Sequence, residues 1–208
     1  MAAPLAVAAS FIVAVSSWLV VPRHLRSAPR RARRVFKRMQ LSTKYEREVL
    51  VAIEVALRCG QAMKACKRRT PVFKDALAID PVTATDEENE AYVTRVIAER
   101  FPNHEVIGEE ASAKLGSIPE LTEKTTWIVD PIDGTQNFVH GAPLSVVSIG
   151  MCSGAIPVLG VVYDPYRDEL FVGVANEGLQ FLCPMCLTSS PKVIKEMSGL
   201  WACRKKFT

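Results

Sequence analysis

Trp127–Gly141 reads WIVDPIDGTQNFVHG, an apolar run that passes directly into Asp130, Pro131, Ile132 and Asp133, then Gly134 and Thr135. The run has the character of a buried strand, and its end carries two carboxylates three residues apart. Asp-Pro and Asp-Gly are ordinary turn dipeptides, so a plain turn is one reading. The other is a site for hard cations and phosphate. Pro131, with its fixed φ, can fold the chain so that both carboxylates face one centre. The Ile132 carbonyl lies between them, and Gly134 and Thr135 can open a helix whose first N–H groups are free for an anion.

Working upstream, Thr43 with Glu46 forms a candidate capping box. Val49, Ile53, Ala56 or Leu57, and Gly60 then recur at helical spacing and predict an amphipathic helix to about Arg68. After a loop around Pro71–Pro81, Thr85 or Asp86 can cap a second helix with an acid-rich first turn, stopped by Pro102. From there the texture is that of strands: EVIGEE, TTWIVD, LSVVSIGMC, PVLGVVYDP and ELFVGVA, short, β-branched and divided by Gly or Pro. Helices followed by a run of strands predict an α+β fold, two helices packed on a mostly antiparallel sheet. After Gly178 the strand rhythm fades and the last residues are basic.

The net charge of +4 over 208 residues is unevenly spread. No Asp or Glu precedes Glu46, whereas that stretch holds seven Arg and two Lys, leaving the rest at about −5. The basicity therefore belongs to a leader, which argues against a nucleic-acid partner. Residues 2–21 carry no charge and are about long enough to cross a bilayer. The basic segment after them predicts a signal anchor making membrane contact through residues 2–21. A plastid or mitochondrial transit peptide and a mis-assigned start are the alternatives. The expected organisation is a leader at 1–45, a folded domain at 46–178 and a divergent tail at 179–208. Of six cysteines, Cys59, Cys66 and Cys152 read as buried thiols. The single Cys183-Pro-Met-Cys186 pair is weak evidence for zinc or redox use.

Three acidic clusters thus stand at element ends: Asp86, Glu109–Glu110, and Asp130 with Asp133. Oxygen donors without a neighbouring Cys or His set favour Mg²⁺ over zinc. The plain alternatives are a helix cap for Asp86 and a solvated turn for Glu109–Glu110. His104 and His140 read as loop or surface residues.

DPIDGTQNFVHGAP is similar to the signature of the inositol monophosphatase family of magnesium-dependent, lithium-sensitive phosphatases. IDPVTATD and FPNHEVIGEE resemble its upstream blocks in the same order, and the likeness runs from about Tyr45 to about Gly178. The resemblance implies a layered αβαβα sugar-phosphatase-like fold and hydrolysis of a small phosphate monoester, inositol 1-phosphate first, by metal-activated water without a phospho-enzyme. It implies Glu109, Asp130, Asp133 and the Ile132 carbonyl as metal ligands. Thr135, supported by Asp86, would orient the water, and the backbone of Gly134 and Thr135, with Asp133, would hold the phosphate. A homodimer is also implied.

The resemblance stops short of the family's second half, which brings a further aspartate in a Trp-Asp motif. Here Trp201 is followed by Ala202. That departure predicts a C-terminally truncated member. Its alternative to catalysis is an impaired form that only binds Mg²⁺ or tethers to a membrane and a paralogue.

Overall fold

The computed structural model describes residues 29–39, 43–67, 69–73, 81–182 and 192–194. Its first element is α1 (Arg30–Met39), inside the stretch expected to be a leader. Ala32, Val35, Phe36 and Met39 recur at i, i+3, i+4 and i+7 and are all buried in the common core. Arg31 pairs with Asp168, which also accepts the Tyr163 hydroxyl at 2.6 Å. The folded body therefore includes residues 30–39, and the expected boundary at residue 45 is corrected. The apolar stripe is interleaved with basic residues, of which Arg30, Arg34 and Lys37 are exposed. Residues 2–21 lie outside the described residues. Among the described residues no helix is long and apolar enough to cross a membrane.

The next helix, α2 (Glu46–Ala65), starts at Glu46 as expected but ends before Arg68. Thr43 does not form the expected box: its hydroxyl accepts the Tyr45 N–H at 3.3 Å, one residue short of the helix. Val49 to Leu57 are buried without a break, so α2 is not simply amphipathic. Over that stretch it lies between α1, α3 (Ala84–Arg100) and the sheet, while Arg47, Arg58, Gln61 and Lys64 toward its ends are exposed. A two-residue pair, β1 (Val72–Phe73) with β2 (Pro81–Val82), precedes α3.

The main sheet has seven strands in sequence order: β3 (Glu105–Gly108), β4 (Thr125–Asp133), β5 (Val146–Ser153), β6 (Ile156–Asp164), β7 (Glu169–Val174), β8 (Gly178–Leu182) and β9 (Lys192–Ile194). β3 and β4 are parallel, because α4 (Glu109–Leu115) and the loop after it carry the chain back across the sheet. Every other neighbouring pair is antiparallel. The α+β class with a mostly antiparallel sheet is therefore observed. β8 and β9 correct the reading of residues after Gly178 as a divergent tail without strands. Cys183, Cys186 and Cys203 lie outside the described residues.

Alternation along the strands sends Trp127, Val129, Val147, Ile149, Val161, Tyr163 and Val172 into the helix-covered face. Asp130 is on the opposite face, in register with Ser148 of β5. The same alternation therefore builds the core and lifts a carboxylate off it.

Candidate active site

Asp86 comes from the first turn of α3. Its N-cap is Thr83 rather than the expected Thr85 or Asp86, and Asp86 is the third helical residue. The two form a reciprocal capping box in which the Asp86 carboxylate accepts the Thr83 N–H at 2.9 Å and also the Thr83 hydroxyl. Asp86 is thus a cap, as its plain reading had it, and more. Its second oxygen lies 3.3 Å from the Thr135 hydroxyl, 49 residues away. Burial raises the Asp86 carboxyl above its ordinary range, while the bonds from Thr83 and Thr135 pull it back.

Glu109 opens α4 instead of closing a strand, since β3 ends at Gly108. The sequence did not identify the group that sets this junction. Glu90, one turn after Asp86 on α3, is buried and accepts the Glu110 N–H at 2.7 Å and the Ala111 N–H at 2.9 Å. One carboxylate therefore satisfies two orphan donors at the start of α4. Asp86 and Glu90 at i, i+4 share a helix face, which was the available signal.

Asp130 is half-buried near the end of β4 and meets Glu109 across the parallel strand pair. Its carboxyl is pushed up to about 8, first by burial, then by the charge of Glu109 and a hydrogen bond with it, then by Asp133. The Ile132 N–H, donated to Asp130 at 3.2 Å, opposes this. Between Asp130 and Asp133 the pairing with β5 shifts register, so the chain bends where Pro131 stands. Ile132 buries its side chain and turns its carbonyl to the Thr135 hydroxyl at 2.9 Å. Gly134 then sits at φ 89° and caps α5 (Thr135–Val139), as expected for a glycine opening a helix.

Asp86, Thr135 and Ile132 are thus brought together by direct bonds, and Glu109 with Asp130 by contact. Asp133 is exposed and acts on Asp130 through space. Among the described residues no three acidic, His or Cys groups close tightly enough to hold a metal ion. The donors fit Mg²⁺ by chemistry: hard carboxylate and carbonyl oxygens, crowded enough to hold a proton on Asp130 that a cation would displace. Glu109 and Asp130 lie at the edge of a cleft of about 440 Å³ whose walls include Ile107, Ile118 and Ile128. These walls offer few groups to recognise hydroxyls.

Arg69 was also missed. Its guanidinium lies 4.6 Å from the centre of the Phe138 ring and donates to the Phe138 carbonyl at 3.0 Å, pinning the end of α5. His104 lies in the loop before β3, as expected, and there stacks on Phe101 at 4.8 Å and accepts the Trp127 Nε1–H at 3.0 Å.

The model of the inositol monophosphatase family matches residues 45–198. Inositol monophosphatase 1 of Solanum lycopersicum is 41% identical over 150 residues, 72% of this chain and 55% of that protein. Inositol monophosphatase 1 of Sus scrofa is 40% identical over 128 residues, 61% of this chain and 46% of the pig protein. Among solved structures, inositol monophosphatase from Anabaena (Nostoc) sp. PCC 7120 superposes with a TM-score of 0.53 at 33% identity, covering 67% of this chain and 48% of that one. The Thermotoga maritima enzyme gives 0.54 at 29% identity, covering 62% and 49%. The chain spans about half the length of the relatives it matches. A match over residues 45–198, most of the sequence, places the chain in the inositol monophosphatase family.

Proposed function

We propose that this chain carries the phosphate-ester-hydrolysing centre of a metal-dependent phosphomonoesterase, with inositol 1-phosphate the leading substrate. The observation that carries the proposal is the bond from the Thr135 hydroxyl to Asp86, set beside the Glu109–Asp130 carboxylate contact. Glu109, Asp130, Asp133 and the Ile132 carbonyl would hold Mg²⁺, which when bound supplies charge neutralisation and an acidified water.

Thr135 has one proton, with acceptors at Asp86 (3.3 Å) and the Ile132 carbonyl (2.9 Å). When the proton points to Asp86, the Ile132 carbonyl is released and the Thr135 oxygen can accept a hydrogen bond from a water, fixing its orientation. Thr83 holds Asp86 still while this happens. Gly134, lacking a side chain, leaves its N–H and that of Thr135 open to a phosphate oxygen. Gln136, exposed beside the site, adds no charge.

Phosphate release from inositol 1-phosphate, with and without Mg²⁺, tests the proposal on the purified chain. Thr135→Ser should keep most of the rate and Thr135→Ala should lose about 10²-fold. The apolar walls of the cleft beside Glu109 and Asp130, among them Ile107, Ile118 and Ile128, favour a second reading, an impaired form that binds metal without turnover. No release above an Asp130→Asn control, with Mg²⁺ binding retained, would select that reading.

A further inference from the structure

We propose that the outward face of α1 is a docking surface for an anionic lipid bilayer. The inward face of the helix is used up: Ala32, Val35, Phe36 and Met39 are buried, so α1 has no apolar side with which to insert. Its outward residues Arg30, Arg34 and Lys37 are exposed, and no acidic residue lies on the helix or anywhere before Glu46. The pairing of Arg31 with Asp168, itself bonded to Tyr163, fixes the helix to the turn between β6 and β7. The cations are therefore displayed on a rigid face instead of a loose arm.

Two features favour a bilayer over another polyanion. Only eight residues, 22–29, separate the uncharged run 2–21 from Arg30, which by chain length keeps the basic face close to whatever that run enters. The remainder of the chain is acidic overall, so an anionic surface attracts this face and repels the rest. The attraction acts over a Debye length of about 8 Å and strengthens partitioning about five-fold for each cation at the surface. The inference does not depend on whether the acidic centre is catalytically active.

The test is flotation of the full chain, synthesised in the presence of vesicles of phosphatidylcholine alone or mixed with phosphatidylserine. The comparison is an Arg34→Glu/Lys37→Glu variant, at exposed positions outside the core. The parent should prefer the serine lipid, and the variant should lose that preference by at least about 25-fold while keeping its partitioning into phosphatidylcholine. Raising the salt should reduce the parent's preference and leave the variant unchanged. A native-like urea midpoint would verify that the variant is folded, and Arg30→Ala should give a smaller loss in the same direction. Equal partitioning of parent and variant on the serine lipid would overturn the proposal. So would a charge-dependent loss seen with duplex DNA and absent with vesicles.

Discussion

Gly108 exists as glycine because Glu90 occupies the space its side chain would need: a Cβ at position 108 would fall 2.3 Å from the Glu90 carboxyl carbon. That carboxylate caps the helix on which Glu109 stands, through Glu110 N–H and Ala111 N–H. Gly108→Ala should cost about 1–3 kcal/mol by displacing it. Glu90→Gln keeps the shape but loses charge assistance and one acceptor, costing about 1–3 kcal/mol. Urea midpoints at constant slope measure both. The double variant should cost clearly less than the sum, since both changes remove the same bonds. Additive costs would show that the two sites are independent.

Gly134 is constrained differently. At φ 89° it lies where a side chain is strained, and a Cβ there would stand 2.9 Å from the Leu144 carbonyl oxygen, which is backbone and cannot swing away. Gly134→Ala should therefore destabilise by about 1–3 kcal/mol and move Thr135 off Asp86. Comparing it with Gly116→Ala is informative, because Gly116 has a similar φ of 69° with nothing within 4 Å. If Gly134→Ala cost no more than Gly116→Ala, strain alone would explain the effect and the Leu144 contact would be irrelevant.

Local chemistry explains how much could be read in advance. The end of β4 was legible because the aspartates, the proline, the glycine and the threonine that shape it are adjacent in sequence, and each acts through its own backbone preference. Thr83 was not chosen as the cap because Thr85 and Asp86 offer equally good capping chemistry; the choice is decided by Thr135, which binds Asp86 from 49 residues away. Glu90 shared a helix face with Asp86, but its spacing could not name the donors it satisfies, which lie about 20 residues downstream. α1 had a legible stripe, but its charge density pointed to a leader, and only the packed α2 shows that the stripe has a partner. β8 puts the polar Gln180 on the buried face, opposite Val172, so its alternation does not announce a strand.

Glu54 and Arg100 join α2 to α3 through two bonds of 2.8 Å, with the Glu54 side chain 7% exposed and that of Arg100 27% exposed. The asymmetry decides which loss hurts more. Arg100→Ala strands a buried carboxylate and should cost about 3–5 kcal/mol. Glu54→Ala leaves a guanidinium that can turn to water, so its cost should be smaller, about 1–3 kcal/mol. Replacing both by Leu and Met should recover part of the larger loss. Urea denaturation decides it: the reverse order of the two single variants would refute the burial argument.

His104 supplies a pH dependence with a definite sign. Burial between Phe101 and Trp127 lowers its pKa below the ordinary 6.5, the charge of Arg47 adds to this, and Glu48 opposes it. Its neutral ring nitrogen accepts the Trp127 indole N–H, a role that a protonated nitrogen cannot fill. Above pH 6.5 the ring is neutral in both folded and unfolded chains, so its contribution is fully present. As pH falls below 6.5 the unfolded chain binds the proton first, and stability is lost until the folded pKa is passed. The carboxyls of Asp86 and Asp130, raised in the folded chain, slope the other way, so the measurement must be a difference. Urea midpoints of the parent minus those of His104→Gln should fall between pH 7.5 and pH 5.5, by about 1 kcal/mol or less for a partly exposed ring. A flat difference would mean that His104 is as free to protonate in the fold as in the unfolded chain.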